Sequence, residues 1–257
     1  MDDRAPRDVD GLRDLFETSR RAVVFTGAGI STESGIPDFR SPGGIWEKHR
    51  PIYFQEFLAS EDARRRYWRQ AIEIRKAIWE SGVVPEPNRG HRAVAELVRR
   101  GTVSSIITQN IDGLHQAAGV PDEKVIELHG TVKFAACLSC RSRYDVEPIL
   151  TEFDRNGTLP VCDRCGGIVK TAVIDFGQGM PEDAMAEAER ETMACDLCLV
   201  AGSSLVVYPA AGFPAFAKRH GARLAIVNRD PTYLDEAADL VLHSEIGPTL
   251  GDAVGVE

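Results

Sequence analysis

Short apolar runs recur along the chain, each closed by glycine or polar residues and followed by apolar positions at helical spacing. The runs are Ala22-Val23-Val24-Phe25, Ser105-Ile106-Ile107, Val125-Ile126-Glu127-Leu128, Leu197-Cys198-Leu199-Val200-Ala201 and Leu224-Ala225-Ile226-Val227. Continuous runs of this kind read as parallel strands buried on both faces. Helix patterns fall over 8–20, over 91–100 with Gly101 as a stop, over 182–193 after Pro181, and over 210–220 with Gly221 as a stop. Strands alternating with helices predict an α/β fold, a Rossmann-like doubly wound parallel sheet.

Two stretches break the alternation. Residues 37–87 are helical and rich in aromatics and arginine; residues 134–169 are short, turn-rich and carry four cysteines. Both read as insertions that build a smaller domain from a helical part and a zinc-binding module. Residues 1–36, 88–133 and 170–257 are left for the larger nucleotide-binding domain. At 257 residues the chain is long enough for one main core with such an appendage.

Open α/β sheets bind ligands at the carboxyl ends of their strands. The runs above are followed by Thr26-Gly27-Ala28-Gly29-Ile30-Ser31, Thr108-Gln109-Asn110-Ile111-Asp112-Gly113, His129-Gly130, Gly202-Ser203-Ser204 and Asn228-Arg229-Asp230. Glycine and hydrogen-bonding groups therefore line one edge, which suits a large, polar, phosphate-bearing ligand. The Gly27-Ala28-Gly29 turn would let backbone N–H groups approach a pyrophosphate. By itself it reads equally well as a plain turn, because Thr32 stands where a G-x-G-x-x-G pattern has its third glycine.

Composition narrows the class. With 43% hydrophobic and 27% charged residues, the chain is that of an ordinary globular protein. Its net charge of -9 argues against direct nucleic-acid binding, which needs a basic face, and favours basic partners. The first 20 residues lack a signal-peptide apolar run, and no segment reaches the ~18 apolar residues of a membrane span. A cytoplasmic location is expected. In that reducing compartment the six cysteines, arranged as three C-x-x-C pairs, point to metal or redox chemistry before disulfides. Cys137-x-x-Cys140 and Cys162-x-x-Cys165, separated by 21 residues, have the spacing of a closed four-thiolate structural zinc site. Cys195-x-x-Cys198 falls at a helix-to-strand junction and reads as core packing.

The run from Gly27 continues as Thr32-Glu33-Ser34-Gly35-Ile36-Pro37-Asp38-Phe39-Arg40. It resembles the sirtuin loop GAGIS-x-x-SGIPDFR. Thr108 to His115, Leu128-His129-Gly130 and Gly202 to Pro209 are similar to further sirtuin motifs in the same order, so the resemblance extends from about Arg21 to Asp239. It implies an enzyme that binds NAD as co-substrate and transfers the acyl group of a modified protein lysine to ADP-ribose, releasing nicotinamide and free lysine. It also implies roles. His129 is the base that deprotonates a ribose hydroxyl, and Asn110 orients the ribose and a water. Asp112 holds the nicotinamide carboxamide. Gln109 and the neighbouring Ile111 lie at the ribose, with Asp38, Phe39 and Arg40 beside the reactive centre and Gly27, Ala28, Gly29 and Ile30 forming the cofactor loop. Gly202, Ser203, Ser204, Asn228, Arg229 and Asp230 hold the adenosine part, and Ile246 meets adenine by position. His115 reads as a supporting residue.

On the substrate side the resemblance implies an acyl-lysine peptide laid as a strand between Phe176-Gly177-Gln178 and Leu205-Val206-Val207, with Phe176, Gly177 and Val206 as contacts. Gln178 departs from the family's glutamate. Alignment through Trp68 puts Ala71 and Ile74 where succinyl- and malonyl-removing members carry Tyr and Arg, so acetyl or longer uncharged acyl groups are expected. Competing readings are a mono-ADP-ribosyltransferase on the same fold and a non-catalytic NAD-sensing module; Asn110, Asp112 and His129 together favour the deacylase. The sequence leaves oligomeric state open.

Overall fold

A computed structural model describes residues 5–80 and 84–257. In chain order the elements are α1 (Ala5–Thr18), β1 (Ala22–Thr26), α2 (Ile45–Lys48), α3 (Phe54–Ala59), α4 (Glu61–Glu80), α5 (Arg89–Arg99), β2 (Val103–Thr108), α6 (Leu114–Ala117), β3 (Val125–Glu127), β4 (Gly130–Cys137), β5 (Arg143–Asp145), α7 (Val146–Asn156), β6 (Val169–Val173), α8 (Glu182–Ala194), β7 (Leu197–Ala201), α9 (Gly212–Arg219), β8 (Arg223–Val227), β9 (Leu240–Leu242) and α10 (Ile246–Val254).

Six strands form one parallel sheet in the order β3-β2-β1-β7-β8-β9. The central strands β1 and β7 are buried along their whole length. This is why they read as unbroken apolar runs: both faces are covered. On one face Leu12, Val24, Val94, Leu97, Leu199 and Leu250 belong to a core beneath α1, α5 and α10; on the other Phe25, Ile107, Val200, Phe213 and Ile226 pack under α8 and α9. The strand order turns outward in both directions from β1 and β7, so a crevice opens between their carboxyl ends. The short edge strand β9 and the helix α10 extend the predicted set.

A second, three-stranded antiparallel sheet runs β5-β4-β6. Trp68 and Ile72 of α4 pack on it with Ala135, Cys137, Val146, Leu150, Phe153 and Val169. The cysteine-bearing stretch is thus more ordered than a turn-rich reading allows. Asp145 caps α7, accepting from Glu147 N, and Gly157 ends it with φ 71°. The arginines of α4 are tied to neighbouring elements: Arg64 donates to the carbonyls of Phe57 and Leu58, Arg65 to that of Gly157, and Arg66 and Arg75 pair with Glu56 and Glu147. Among the described residues no helix is long and apolar enough to cross a membrane.

Trp68 is fully buried at the centre of this smaller core. Trp68→Ala is expected to cost about 3–5 kcal/mol, the usual range for emptying a large aromatic site. Urea unfolding followed by far-UV circular dichroism measures it.

Candidate active site

The crevice is built by two strand-end loops that cross in backbone contact. Gly27 N donates to Ala201 O at 3.2 Å and Gly29 N to Gly202 O at 2.8 Å. A Cβ on Gly27 or Gly29 would lie 2.8 Å from Gly202 backbone, and one on Gly202, whose φ is +68°, would lie 2.2 Å from Ile30 N. This corrects the expectation drawn from the turn alone. These amides and glycines serve the crossing of two loops, and Gly27 and Gly29 do not hold their N–H groups free for a phosphate. The chain then enters a 3-10 helix, Ala28–Ser34, ending at Gly35 in the left-handed region.

Ser31, inside that turn, is the centre of a polar cluster. Its Oγ donates to Asp112 Oδ2 at 2.7 Å and accepts from Asn110 Nδ2 at 3.2 Å, while Asp112 Oδ1 accepts from Leu114 N. Asn110 is held by its own N–H, which donates to Thr108 Oγ1. Behind them stands His91, with Nε2 3.5 Å from Ser31 Oγ, and His115, with Nε2 2.9 Å from Thr26 Oγ1. The two rings meet edge to face at 5.1 Å. Thr26 already donates to Thr108, so His115 must be the donor to Thr26, and its Nδ1 is a bare acceptor. Burial pushes His91 down to about 4 against the pull of Asp112, and pushes His115 down to about 3, with His91 adding to the effect. Both rings are therefore neutral near neutrality. His115 is the supporting residue expected; His91 was not singled out from the sequence. Its signal was Asn88 after Pro87: Asn88 caps α5, accepting from Gly90 and His91 N–H, and donates to Ile30 O and Ser34 Oγ. The cap positions both His91 and the loop that carries Ser31.

His129 follows β3. Its Nδ1 lies 3.0 Å from Gln109 O. A carbonyl only accepts, so Nδ1 carries the proton and Nε2 keeps its lone pair, the tautomer a general base requires. Burial holds His129 below the ordinary histidine range, partly opposed by the Gln109 bond, and the nearby Arg40 guanidinium adds to the lowering. The backbone is clamped too: Ile174 N donates to His129 O, and Gly130, with φ +71°, would place a Cβ 2.0 Å from Ala172 O. Gln109 further accepts from Ser203 Oγ at 2.7 Å, linking the second loop to the fourth.

The Phe39-Arg40 loop lies over this edge. Asp38 Oδ1 accepts from Arg40 N and Ser41 N. Burial raises the Asp38 carboxyl, but the bonds to Ser41 and Arg40 and the nearby Arg229 outweigh it and leave it lower than usual. Arg229 and Asp230 are exposed and loosely paired at 4.0 Å; Asn228 is buried, with Nδ2 donating to Asp230 O, and Ser204 is exposed beside the buried Ser203. Ile246 opens α10. Its side chain is 4% exposed and belongs to the main core. Phe176 and Val206 are exposed, and rings stack in series from Phe39 to Trp46 at 5.2 Å, Trp46 to Phe176 at 6.2 Å and Phe176 to Tyr53 at 5.9 Å.

The four cysteines of the smaller sheet converge. All four Sγ atoms lie within 4.8 Å of one another, with Cys137–Cys165 and Cys140–Cys162 each at 3.5 Å. That is close to the edge of a tetrahedron with zinc–sulfur bonds of about 2.3 Å, roughly 3.8 Å. Ser139 N and Cys140 N point at Cys137 Sγ, and a Cβ on Gly167 would meet that sulfur at 2.9 Å. The donor set fits a structural zinc ion. Cys195 and Cys198 are buried in the main core, as packing residues should be.

The model of the Sir2 family matches residues 27–209, more than half of the chain. The chain belongs to the Sir2 family. An NAD-dependent protein deacetylase 1 of Bradyrhizobium diazoefficiens is 53% identical over 247 residues, covering 96% of this chain and 95% of that protein. A solved Sir2 structure with a p53 peptide and NAD+ has a TM-score of 0.83 at 37% identity, covering 94% of this chain and 95% of that one. Another, with deacetylated p53 peptide and 3'-O-acetyl ADP ribose, has a TM-score of 0.85 at 37% identity, covering 96% and 98%.

Two outcomes test the site's construction. Metal analysis should find about one zinc per chain, and a strong chelator should unfold the smaller sheet, since binding energy in such modules is folding energy. The buried histidines have folded pKa values below their unfolded value, so the unfolded chain takes up their protons first as pH falls. Stability is full above about pH 6.5 and is lost towards pH 4. His115→Asn should flatten that slope by up to about 1.4 kcal/mol per pH unit, read by urea unfolding at successive pH values. An unchanged slope would mean His115 is not held neutral.

Proposed function

We propose that this Sir2 protein removes acyl groups from protein lysines at the expense of NAD, giving nicotinamide, deacylated lysine and O-acyl-ADP-ribose. The observation that carries the reading is the tautomer of His129. A half-buried histidine whose Nδ1 proton is committed to Gln109 O, on the strand-end edge that also carries the Ser31–Asn110–Asp112 cluster, is a base set to take a proton from a hydroxyl at Nε2. Bound NAD supplies the ribose carbon that loses nicotinamide to attack by the acyl oxygen.

The residues divide the remaining work. Asp112, oriented by Ser31 and Leu114 N, binds the carboxamide; Asn110, fixed by Thr108, orients the ribose; Gln109 and Ile111 flank it. Phe39 and Arg40 cover the reacting centre and keep water out. The crossing of Gly27-Ala28-Gly29-Ile30 with Gly202 forms the floor under the phosphates, and Ser203, Ser204, Asn228, Arg229 and Asp230 hold the adenosine end. The acyl-lysine peptide adds as a strand along Phe176-Gly177 and Val206, whose exposure leaves that edge open to a partner. Ala71 packs against the smaller core and Ile74 is half-buried, so α4 offers no group there to pair with an acyl carboxylate, which supports acetyl or longer uncharged chains over succinyl and malonyl. The smaller domain combines the helical part, 37–87, with the sheet β5-β4-β6, so the limits of 134 and 169 expected from the cysteine-bearing stretch fall inside β4 and β6; the rest is the NAD-binding domain. Four cysteines are grouped for a metal and two are packed in the core, a usage that supports work in the reducing cytoplasm.

Incubation with NAD and an acetyl-lysine peptide should release nicotinamide and O-acetyl-ADP-ribose in equal amounts; NAD binding with neither product would overturn the assignment. His129→Ala should lower the deacylation rate by about 100-fold or more, in the range of a lost general base, with NAD affinity within about threefold of the parent by calorimetry.

A further inference from the structure

The edge read as the peptide site rests on a buried charge pair that no step of the reaction uses. Lys170 of β6 is 1% exposed, and its Nζ lies 2.8 Å from Asp175 Oδ2. The ammonium also donates to the carbonyls of Val173 at 2.5 Å and Thr171 at 3.2 Å. Tyr67 of α4 completes the shell, with its hydroxyl 3.4 Å and its ring centroid 5.2 Å from Nζ, and that hydroxyl also bonds Thr171 Oγ1. One ammonium therefore joins β6, the helix α4 and the segment after β6.

Such a pair is a costly way to gain stability, because desolvation of two charges offsets most of their attraction. What it does supply is geometry. Asp175 immediately precedes Phe176 and Gly177, and the turn is closed by Gln178, whose N–H donates to Asp175 O and whose Oε1 accepts from Asp175 N. Gly177 sits at φ +80°, and the two carbonyls that follow Asp175 are taken by α3: Phe176 O by Phe54 N at 2.9 Å and Gly177 O by Gln55 Nε2 at 2.9 Å. The turn is thus pinned from α3, from Gln178 and, through Asp175, from Lys170. Of these, only Lys170 ties the turn to the interior, where β6 meets α4.

We propose that Lys170 and Asp175 are positioning residues for the acyl-lysine substrate, fixing the Phe176-Gly177 edge on which the peptide is laid and tying it through Tyr67 to α4. The proposal rests on the reading of that edge as the peptide site. It gives Gln178 a place as well: its side chain is spent on closing the turn.

The test compares Asp175→Asn, Lys170→Met, the double variant K170M/D175N, and Tyr67→Phe. Each single variant strands a partner in the interior and is expected to raise the peptide KM about tenfold or more, with the NAD Kd within about twofold and kcat changed less. The double variant removes the stranded charge, so its thermal midpoint should return towards the parent value while its peptide KM stays raised. That split separates positioning from mere stability. Tyr67→Phe keeps the ring and should raise the peptide KM about two- to fivefold, which decides the matter if the charge variants do not fold. Peptide KM at the parent value in the folded double variant and in Tyr67→Phe would overturn the proposal, as would peptide KM and NAD Kd rising together. A parent protein that yields no product would instead overturn the deacylase reading.

Discussion

The site depends on the contact between two loops that leave adjacent strands of one sheet. β1 and β7 run parallel and in register, so their carboxyl ends arrive side by side, and the chain continues from each directly into the other's space. Only backbone fits there. Gly29 N to Gly202 O at 2.8 Å joins the turn that carries Ser31 to the loop that carries Ser203. Ser31 then reaches Asn110 and Asp112, and Ser203 reaches Gln109, so the same loop after β2 is held from both sides. The Gln109 carbonyl in turn sets the protonated nitrogen of His129. A single backbone crossing is linked, by four short steps, to the proton state of the base.

The electrostatics follow from burial more than from charge. His91 and His115 are enclosed without a carboxylate in hydrogen-bond contact, and the nearest acid, Asp112, already has both oxygens committed to Ser31 and Leu114 N. Neutral imidazoles there keep the back of the crevice free of fixed positive charge. His129 is lowered for the same reason, with Arg40 contributing. Ion pairs are spread over α4, the smaller sheet and the outer helices of the larger domain, as in Arg66–Glu56, Arg21–Glu191, Arg89–Asp252 and Lys218–Asp239, where they hold elements together.

Much of this was legible in the sequence, and the parts that were not have specific causes. Buried parallel strands advertise themselves as apolar runs, so β1, β2, β3, β7 and β8 were found within a residue or two; the partly exposed edge strand β9, Leu240–Leu242, was not. The helix α10 is rich in Gly and Pro and reads as loop. Gly247 N donates to the Glu33 carboxylate and Gly251 lies against the Arg89 guanidinium, contacts that no local pattern reveals. Asp145, the apolar positions 146, 150 and 153, and Gly157 spell out α7, a signal outweighed by the surrounding cysteines. The zinc ligands were readable from spacing alone. The role of Gly27 and Gly29 was not, since their need arises from Gly202, distant in sequence, and a turn that serves a phosphate looks the same as one that serves another loop.

β4 begins one residue after His129 and ends at Cys137. Eight residues of strand at about 3.4 Å each span at most some 27 Å, so the base and a metal ligand stand at opposite ends of one strand, whose pairing with β6 shifts register between Gly130 and Ala135. Its far end is anchored by sulfur and its near end by the Gln109 loop. The cysteine cluster is thus joined to the imidazole by one continuous run of main chain that does not pass through the nucleotide crevice.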